Sequence, residues 1–199
     1  MKLIDRIHER VHLRRVGVLG ERLARWMPRG ARVLDVGSGD GRLGAELMRA
    51  RPDLAVEGLE TQVREGSQIP TKGFDGSRIP FTDRSVPVVL FVDVLHHTRH
   101  PDRLLAEAAR VASDCVILKD HLSDRVFSKP LLRWMDHTAN SKFGMDIPGN
   151  YWRRSQWRAA FAKAGLRADD FIASIGLYPA PFDWVFGGSL HFIARLVRQ

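Results

Sequence analysis

The chain has 199 residues, 44% apolar and 27% charged, a length and composition that fit one domain with a sizeable core and exclude collagen, coiled coil and wholesale disorder. The lone Cys115 cannot close an internal disulfide, no window reaches the roughly 18 unbroken apolar residues of a membrane span, and charges interrupt the N-terminus, so a cytoplasmic protein is expected. Net charge is +8, of which residues 1–30 supply +5 from eight basic and three acidic residues; a solvated helix face is the plain reading, and RNA, an anionic membrane surface or an acidic partner are the functional ones.

In chain order, Leu3, Ile4, Ile7 and Val11 recur at helical spacing, and so do Leu19, Leu23 and Trp26, which predicts two short helices before Pro28 and Gly30. Arg32 to Val36 reads as a strand, followed by a glycine-rich turn and a helix from about Gly41 to Arg51. Ala55 to Glu60 is the next strand. Thr61 to Arg84 lacks periodicity and is rich in Gly, Pro, Ser and Asp, so it predicts a loop with one short strand. Val86 to Val92 is continuously apolar, as a parallel strand buried on both faces is. Pro101 opens a helix through about Ala112, and Asp114 to Lys119 is a further strand. Ser155 to Ala164 reads as a helix with a serine N-cap and Gly165 at its stop. Arg167 to Ile175 and Leu190 to Val197 read as two strands with no crossover helix between them, hence antiparallel. Strands alternating with helices predict an α/β fold with an open parallel sheet.

Val33 to Gly41 reads VLDVGSGDG, a strand, an acid, glycines at 37, 39 and 41, then a helix. Such glycines permit positive φ and let a ligand approach the backbone, at the end of an open sheet where ligands bind. Gly39, Gly41 and Gly44 satisfy the G-x-G-x-x-G of dinucleotide sites. A pyrophosphate would sit at the helix N-terminus, however, and Asp35 and Asp40 flank this turn. Those carboxylates repel a dianion and welcome a cation.

With Asp35, Gly37, Gly39 and Gly41 as its first motif, the chain resembles the class I S-adenosylmethionine-dependent methyltransferases. Three more elements carry the resemblance: Gly58-Leu59-Glu60 ending the second strand, Asp75-Gly76 before Ile79-Pro80-Phe81, and FVDVLHH (91–97) leading to RLLAEAARV (103–111). The likeness covers about residues 31–121. It implies a Rossmann-like sheet of seven strands, mostly parallel with the last antiparallel and helices on both faces. It also implies S-adenosyl-L-methionine as cofactor, with Glu60 on the ribose hydroxyls and Asp75 on the adenine amino group. The expected cofactor shell is Asp35, Gly37, Ser38, Gly39, Gly41, Glu60, Thr61, Asp75, Gly76, Asp93 and His97. The whole chain is then one domain: N-terminal helices over 1–30, a cofactor-binding core over 31–121, and a substrate-side insert with a C-terminal β-hairpin over 122–199.

Asp120 and His121 follow the predicted fifth strand, and His121 is a candidate general base because imidazole titrates near neutrality. Tyr151 is the phenol of the aromatic and basic block Arg133 to Trp157, and it could orient a nucleophile. His96, His97, His100 and His121 raise the question of a metal, but adjacent histidines should point apart and no metal is expected. Cys115 should be buried and inert. Asp93-Val94-Leu95-His96 stands where amino-methylating nucleic-acid enzymes carry an Asn/Asp-Pro-Pro-aromatic signature. With the proline-punctuated aromatic C-terminal third, this favours a small organic or lipid-like acceptor, with nucleic acid disfavoured and peripheral membrane contact by the N-terminus conceivable. The competing readings are an RNA methyltransferase using the basic N-terminal helices, a nicotinamide oxidoreductase, and a non-catalytic nucleotide-binding protein.

Overall fold

A computed structural model describes residues 3–140 and 148–199. The strands are β1 (Arg32–Val36), β2 (Ala55–Glu60), β3 (Thr71–Gly73), β4 (Val86–Val92), β5 (Ala112–His121), β6 (Leu166–Ala173) and β7 (His191–Arg198). They form one sheet in the order β3-β2-β1-β4-β5-β7-β6. Pairing is parallel from β3 through β5, and β7 runs antiparallel to both β5 and β6. The helices are α1 (Leu3–Ala24), α2 (Arg42–Ala50), α3 (Pro101–Val111), α4 (Ser128–Asn140) and α5 (Arg154–Lys163).

Alternation along the strands splits the core into two layers. Leu34, Val36, Val89, Phe91, Val116 and Leu118 face one side, where Leu104, Leu105 and Ala108 of α3 and Trp157 and Phe161 of α5 cover them. Val33, Val88, Leu90, Cys115 and Ile117 face the other, under Leu19 and Leu23 of α1 and Leu47 of α2. Each such buried aliphatic side chain contributes about 1.5–3 kcal/mol. That double coverage is why Val86 to Val92 reads as an unbroken apolar run. Cys115 is buried, and burial pushes its thiol up to about 11, which keeps it protonated.

Several elements differ from expectation, among them β6, which ends at Ala173 rather than Ile175. The N-terminal stretch is one helix rather than two short ones. Gly17 costs such a helix only about 1 kcal/mol, and packing of Leu19, Leu23 and Ala24 onto the core carries the helix through it. β5 continues to His121 because Asp120 and His121 pair with Phe192 and His191 of β7. α5 begins before Ser155: the Arg153 amide donates to the Gln156 side chain at 3.0 Å, which moves the cap. The helix α4, within the block read only as aromatic and basic, was not predicted; residues 141–147 of that block lie outside the described residues. Among the described residues no helix is long and apolar enough to cross a membrane.

Candidate active site

The turn between β1 and α2 is tied to the end of β2. Gly37 N and Ser38 N donate to Leu59 O at 2.7 and 3.3 Å, and Gly41 N donates to Ser38 O at 2.9 Å. Gly37, Gly39 and Gly41 have φ of 79°, 58° and 75°. A Cβ at Gly37 would strike Val94 and one at Gly41 would strike Ser67 and Ile69, but the space before Gly39 is open to 4 Å. A ligand can therefore reach the backbone at Gly39. Gly58 serves the same turn from β2, since a Cβ there would lie 2.4 Å from Ser38 Oγ.

Glu60 closes this cradle. Its two oxygens accept from Gly39 N and Thr61 N, each at 2.9 Å. A carboxylate oxygen keeps a lone pair for a further donor, so a vicinal diol can still be held. Asp35 is only 2% exposed; burial first, and then the charge of Glu60, raise its carboxyl to about 7. Asp40 is paired with Arg42 at 3.0 Å, so the second acid of the cation-seeking turn is Glu60 rather than Asp40. Ser38 Oγ is buried with no hydrogen-bond partner. An open glycine, an orphaned hydroxyl and two carboxyl groups suit a ligand that brings donors and positive charge, and they oppose a pyrophosphate.

The loop after β3 is fastened by α3. Glu107 accepts from Ile79 N at 3.0 Å, and Arg110 donates to Ile79 O and Phe81 O at 3.0 and 2.8 Å. Here lies the physical meaning of the acid and arginine in RLLAEAARV: one side of α3 pins the Ile79-Pro80-Phe81 backbone. Asp75 is exposed, and one of its oxygens accepts from Ser77 N and Arg78 N, each at 2.8 Å. These amides hold its carboxyl below the usual range. Half of the Asp75 carboxylate thus caps its own turn, with Gly76 at φ 76° completing it.

Beyond the carboxyl ends of β4 and β5 the interior becomes polar. Asp93, at φ 58°, pairs with buried Lys119 and, at 2.9 Å, with Arg15 of α1. Burial opposes its ionisation, but Lys119 and Arg15 prevail and hold it well below the usual carboxylate range. His96 Nδ1 lies 2.7 Å from Asp120 Oδ1, and its Nε2 lies 3.3 Å from Asp136 Oδ2. Burial disfavours charge on His96, yet Asp120 and Asp136 outweigh it and raise it to about 10. Tyr151 donates to Asp136, and His191 stands between Lys119 Nζ at 3.3 Å and Phe186 O at 2.9 Å.

A methyltransferase-domain family model matches residues 8–170. The chain belongs to the class I S-adenosylmethionine-dependent methyltransferases. Its donor is S-adenosyl-L-methionine. Solved structures agree on the fold. One is the complex between the Haloferax volcanii Trm112 methyltransferase activator and its methyltransferase, at 17% identity and TM-score 0.64, covering 91% of this chain and 89% of that one. Another is the mitomycin 7-O-methyltransferase MmcR, at 21% and 0.65, covering 93% of this chain and 53% of that longer one. A third is a SAM-dependent methyltransferase from Aquifex aeolicus, at 16% and 0.61, covering 90% and 89%. No curated protein matches the chain.

In this methyltransferase the expected cofactor residues Asp35, Gly37, Ser38, Gly39, Gly41, Glu60 and Thr61 come together at one turn. Asp75 and Gly76 stand on the neighbouring loop. Asp93 is turned to Lys119 and Arg15, because a buried ammonium requires a counter-charge. The two catalytic candidates both lie inside the buried cluster. His121 is buried; burial first, then His96 and Lys119, hold its pKa well below 6.5 and make it a weak base. Tyr151 is 2% exposed, and burial with its bond to Asp136 pushes its phenol up. His96 and His97 do not diverge: their rings lie 3.9 Å apart. Arg15, Lys119, Asp136, Tyr178 and His191 were not singled out from the sequence. A lysine inside the apolar run of β5 was the one signal that could have found Lys119.

Proposed function

We propose that this methyltransferase modifies a small, carbon-rich organic acceptor held beyond the carboxyl ends of β4 and β5. The observation that carries the reading is an aromatic path from the buried polar cluster to the surface. His121 lies 4.8 Å from His191, which lies 6.2 Å from Tyr178; Tyr178 lies 6.2 Å from Phe186, and Phe186 stacks on Trp134 at 6.0 Å. At its outer end Trp134 is 57% exposed, and Phe182 and Trp184, which flank Asp183 at the start of the short helix carrying Phe186, are 58% and 75% exposed. Exposed aromatics linked to a buried polar cluster fit an acceptor with an apolar body and a polar reacting end.

The donor supplies a methyl group on a sulfonium, whose charge disappears as the bond forms. Placing the acceptor atom in line can then supply several kcal/mol without a strong base, which suits a site whose His121 and Tyr151 are both buried. In this reading Glu60 takes the ribose hydroxyls, Gly39 admits the backbone approach, and Asp35 faces the cationic end. Asp75 offers its second oxygen to the adenine amino group. The RNA alternative loses part of its footprint, because Arg15 turns inward onto Asp93 and Arg25 pairs with Glu21.

The test is label transfer from a methyl-labelled donor to a panel of phenols, amines and prenylated acceptors, alongside bulk RNA. Label is expected in small acceptors, with Trp184→Ala raising the acceptor KM about fivefold, a loss of roughly 1 kcal/mol, and leaving donor affinity unchanged. Label confined to RNA would replace this reading.

A further inference from the structure

Buried imidazole nitrogens without partners call for an explanation, since each costs about 1–3 kcal/mol of lost hydrogen bonding. Two stand in the acceptor-side cluster, His97 Nδ1 and His121 Nδ1, and beside them His96 Nε2 faces the Asp136 carboxylate at 3.3 Å. His96 is fully buried. His96, His97 and Asp136 each place one donor atom within 4.8 Å of the others. We infer that His96, His97 and Asp136 bind a divalent first-row transition cation, with zinc the best match to two imidazoles and one carboxylate.

The geometry carries this further than proximity. Ligand bonds of about 2.0–2.2 Å in a tetrahedral site put neighbouring donors roughly 3.3–3.5 Å apart, and His96 Nε2 already stands 3.3 Å from Asp136 Oδ2. The supporting residues are those a metal site uses. Asp120 holds His96 Nδ1 at 2.7 Å, so a cation takes Nε2 in place of the proton that Nε2 directs at Asp136, and Asp120 is itself fixed by the amides of Leu95 and His121. Tyr151 steadies Asp136. A carboxylate behind a ligating histidine orients the ring and raises its basicity. His97 is part-exposed, which places the open side of the set toward it. Three protein ligands leave a fourth position for water or another oxygen.

Two other groupings in the cluster fit less well. In Asp93, His121 and His191 the carboxylate already carries the Lys119 ammonium and the Arg15 guanidinium, which repel a cation. In His96, Asp120 and His121 the Asp120 oxygens are taken by the His96 ring and two backbone amides. The expectation that adjacent histidines diverge fails because Leu95–His97 is a 3-10 turn, which sets the two rings against each other. If the proposed acceptor carries a hydroxyl, its oxygen at the open position loses its proton more readily, but the site itself does not depend on that reading.

The experiment is metal analysis of the untagged, full-length protein dialysed against zinc, with a cobalt-substituted sample for absorption spectra. One equivalent of zinc is expected, together with cobalt bands typical of a four- or five-coordinate nitrogen–oxygen site. His97→Gln and Asp136→Asn should each weaken zinc at least about tenfold, and Asp120→Asn by about 10- to 100-fold. Melting temperature and S-adenosylhomocysteine affinity are measured on every variant, so misfolding and loss of the cofactor site are seen separately from loss of metal. Zinc below a tenth of an equivalent in the folded wild type, or stoichiometric zinc that His97→Gln and Asp136→Asn leave intact in folded protein, overturns the inference.

Discussion

The glycine turn of the donor side and the buried polar cluster beyond β4 and β5 are built in different ways. On the donor side, Gly37, Gly39 and Gly41 lie within five residues of one another, and their partners Leu59 and Glu60 end the adjacent strand. On the acceptor side, the interacting groups come from Arg15, Asp93, His96, Lys119, Asp120, Asp136, Tyr151 and His191, which span most of the chain. The first is backbone held by backbone, with carboxyl groups added. The second is side chain held by side chain in a buried setting, where each charge depends on its counter-charge. A local device should therefore tolerate distant changes, and the network should not tolerate the loss of one member.

The largest effect should come from the network. Lys119→Met leaves part-buried Asp93 with Arg15 as its remaining cationic ion pair among the described residues, and the cost should be about 3 kcal/mol, the lower end of that for breaking a buried pair. Urea denaturation measures it, and adding Asp93→Asn should restore a good part of the loss. A cost under about 1 kcal/mol, as for exposed pairs, would mean that water screens the cluster and that its members do not depend on one another.

The donor side has its own buried charge, Asp35, and it works against stability. Its pKa is raised on folding to about 7, so the folded chain holds this proton more tightly than the unfolded one. Stability is then highest at low pH and falls as pH rises from the usual carboxylate value through about 7. At pH 8 the penalty is on the order of 4 kcal/mol at most. Asp35→Asn should stabilise the free protein at pH 8 and do so progressively less toward pH 4, while weakening donor binding. A cationic ligand should displace the proton, so wild-type affinity for S-adenosylmethionine should rise with pH up to about 7. Calorimetry in buffers of different ionisation heat reads the released proton; pH-independent binding would remove Asp35 from the cation's surroundings.

This contrast also explains how much was legible in advance. β1, β2 and β4 were read with their observed bounds because Arg32–Val36, Ala55–Glu60 and Val86–Val92 carry their own pattern. The glycine turn was legible because its function needs particular residues at fixed spacing. β5 was read two residues short at its ligand end, since Asp120 and His121 look like loop residues until β7 supplies their hydrogen-bond partners. α4 was missed because Pro130, which the first turn of a helix tolerates, reads as one more break in a proline-punctuated third. Lys119 and Asp136 acquire meaning only when the fold brings them to Asp93 and His96. His97 was read as diverging from its neighbour because spacing says nothing of a 3-10 turn.

Next in size is Glu60→Ala. The carboxylate holds the amides of Gly39 and Thr61 and, in the proposed site, the ribose hydroxyls. Losing charge-assisted hydrogen bonds worth about 1.5–3 kcal/mol should weaken S-adenosylhomocysteine about 10- to 100-fold. The melting temperature should barely move if the turn is as self-sufficient as its backbone bonds imply. A collapse in stability would show that the donor side, too, leans on side chains.

The smallest effect separates a stapled loop from a binding loop. Arg110 donates to Ile79 O, Phe81 O, Asp83 and Glu107, a fan that planar guanidinium fills and lysine cannot. Arg110→Lys keeps the charge and loses most of the fan. Because Asp83 is exposed and the other partners are part-buried, the loss of stability should stay near 1 kcal/mol. If Asp75 on this loop meets adenine, loosening the Ile79–Phe81 backbone should also weaken S-adenosylhomocysteine by about threefold, roughly half of that energy. Adenosine alone should suffer the same factor, since the contact lies at the base. A lower melting temperature with unchanged affinity for both ligands would leave the α3 clamp as a purely structural device and take Asp75 off the donor side.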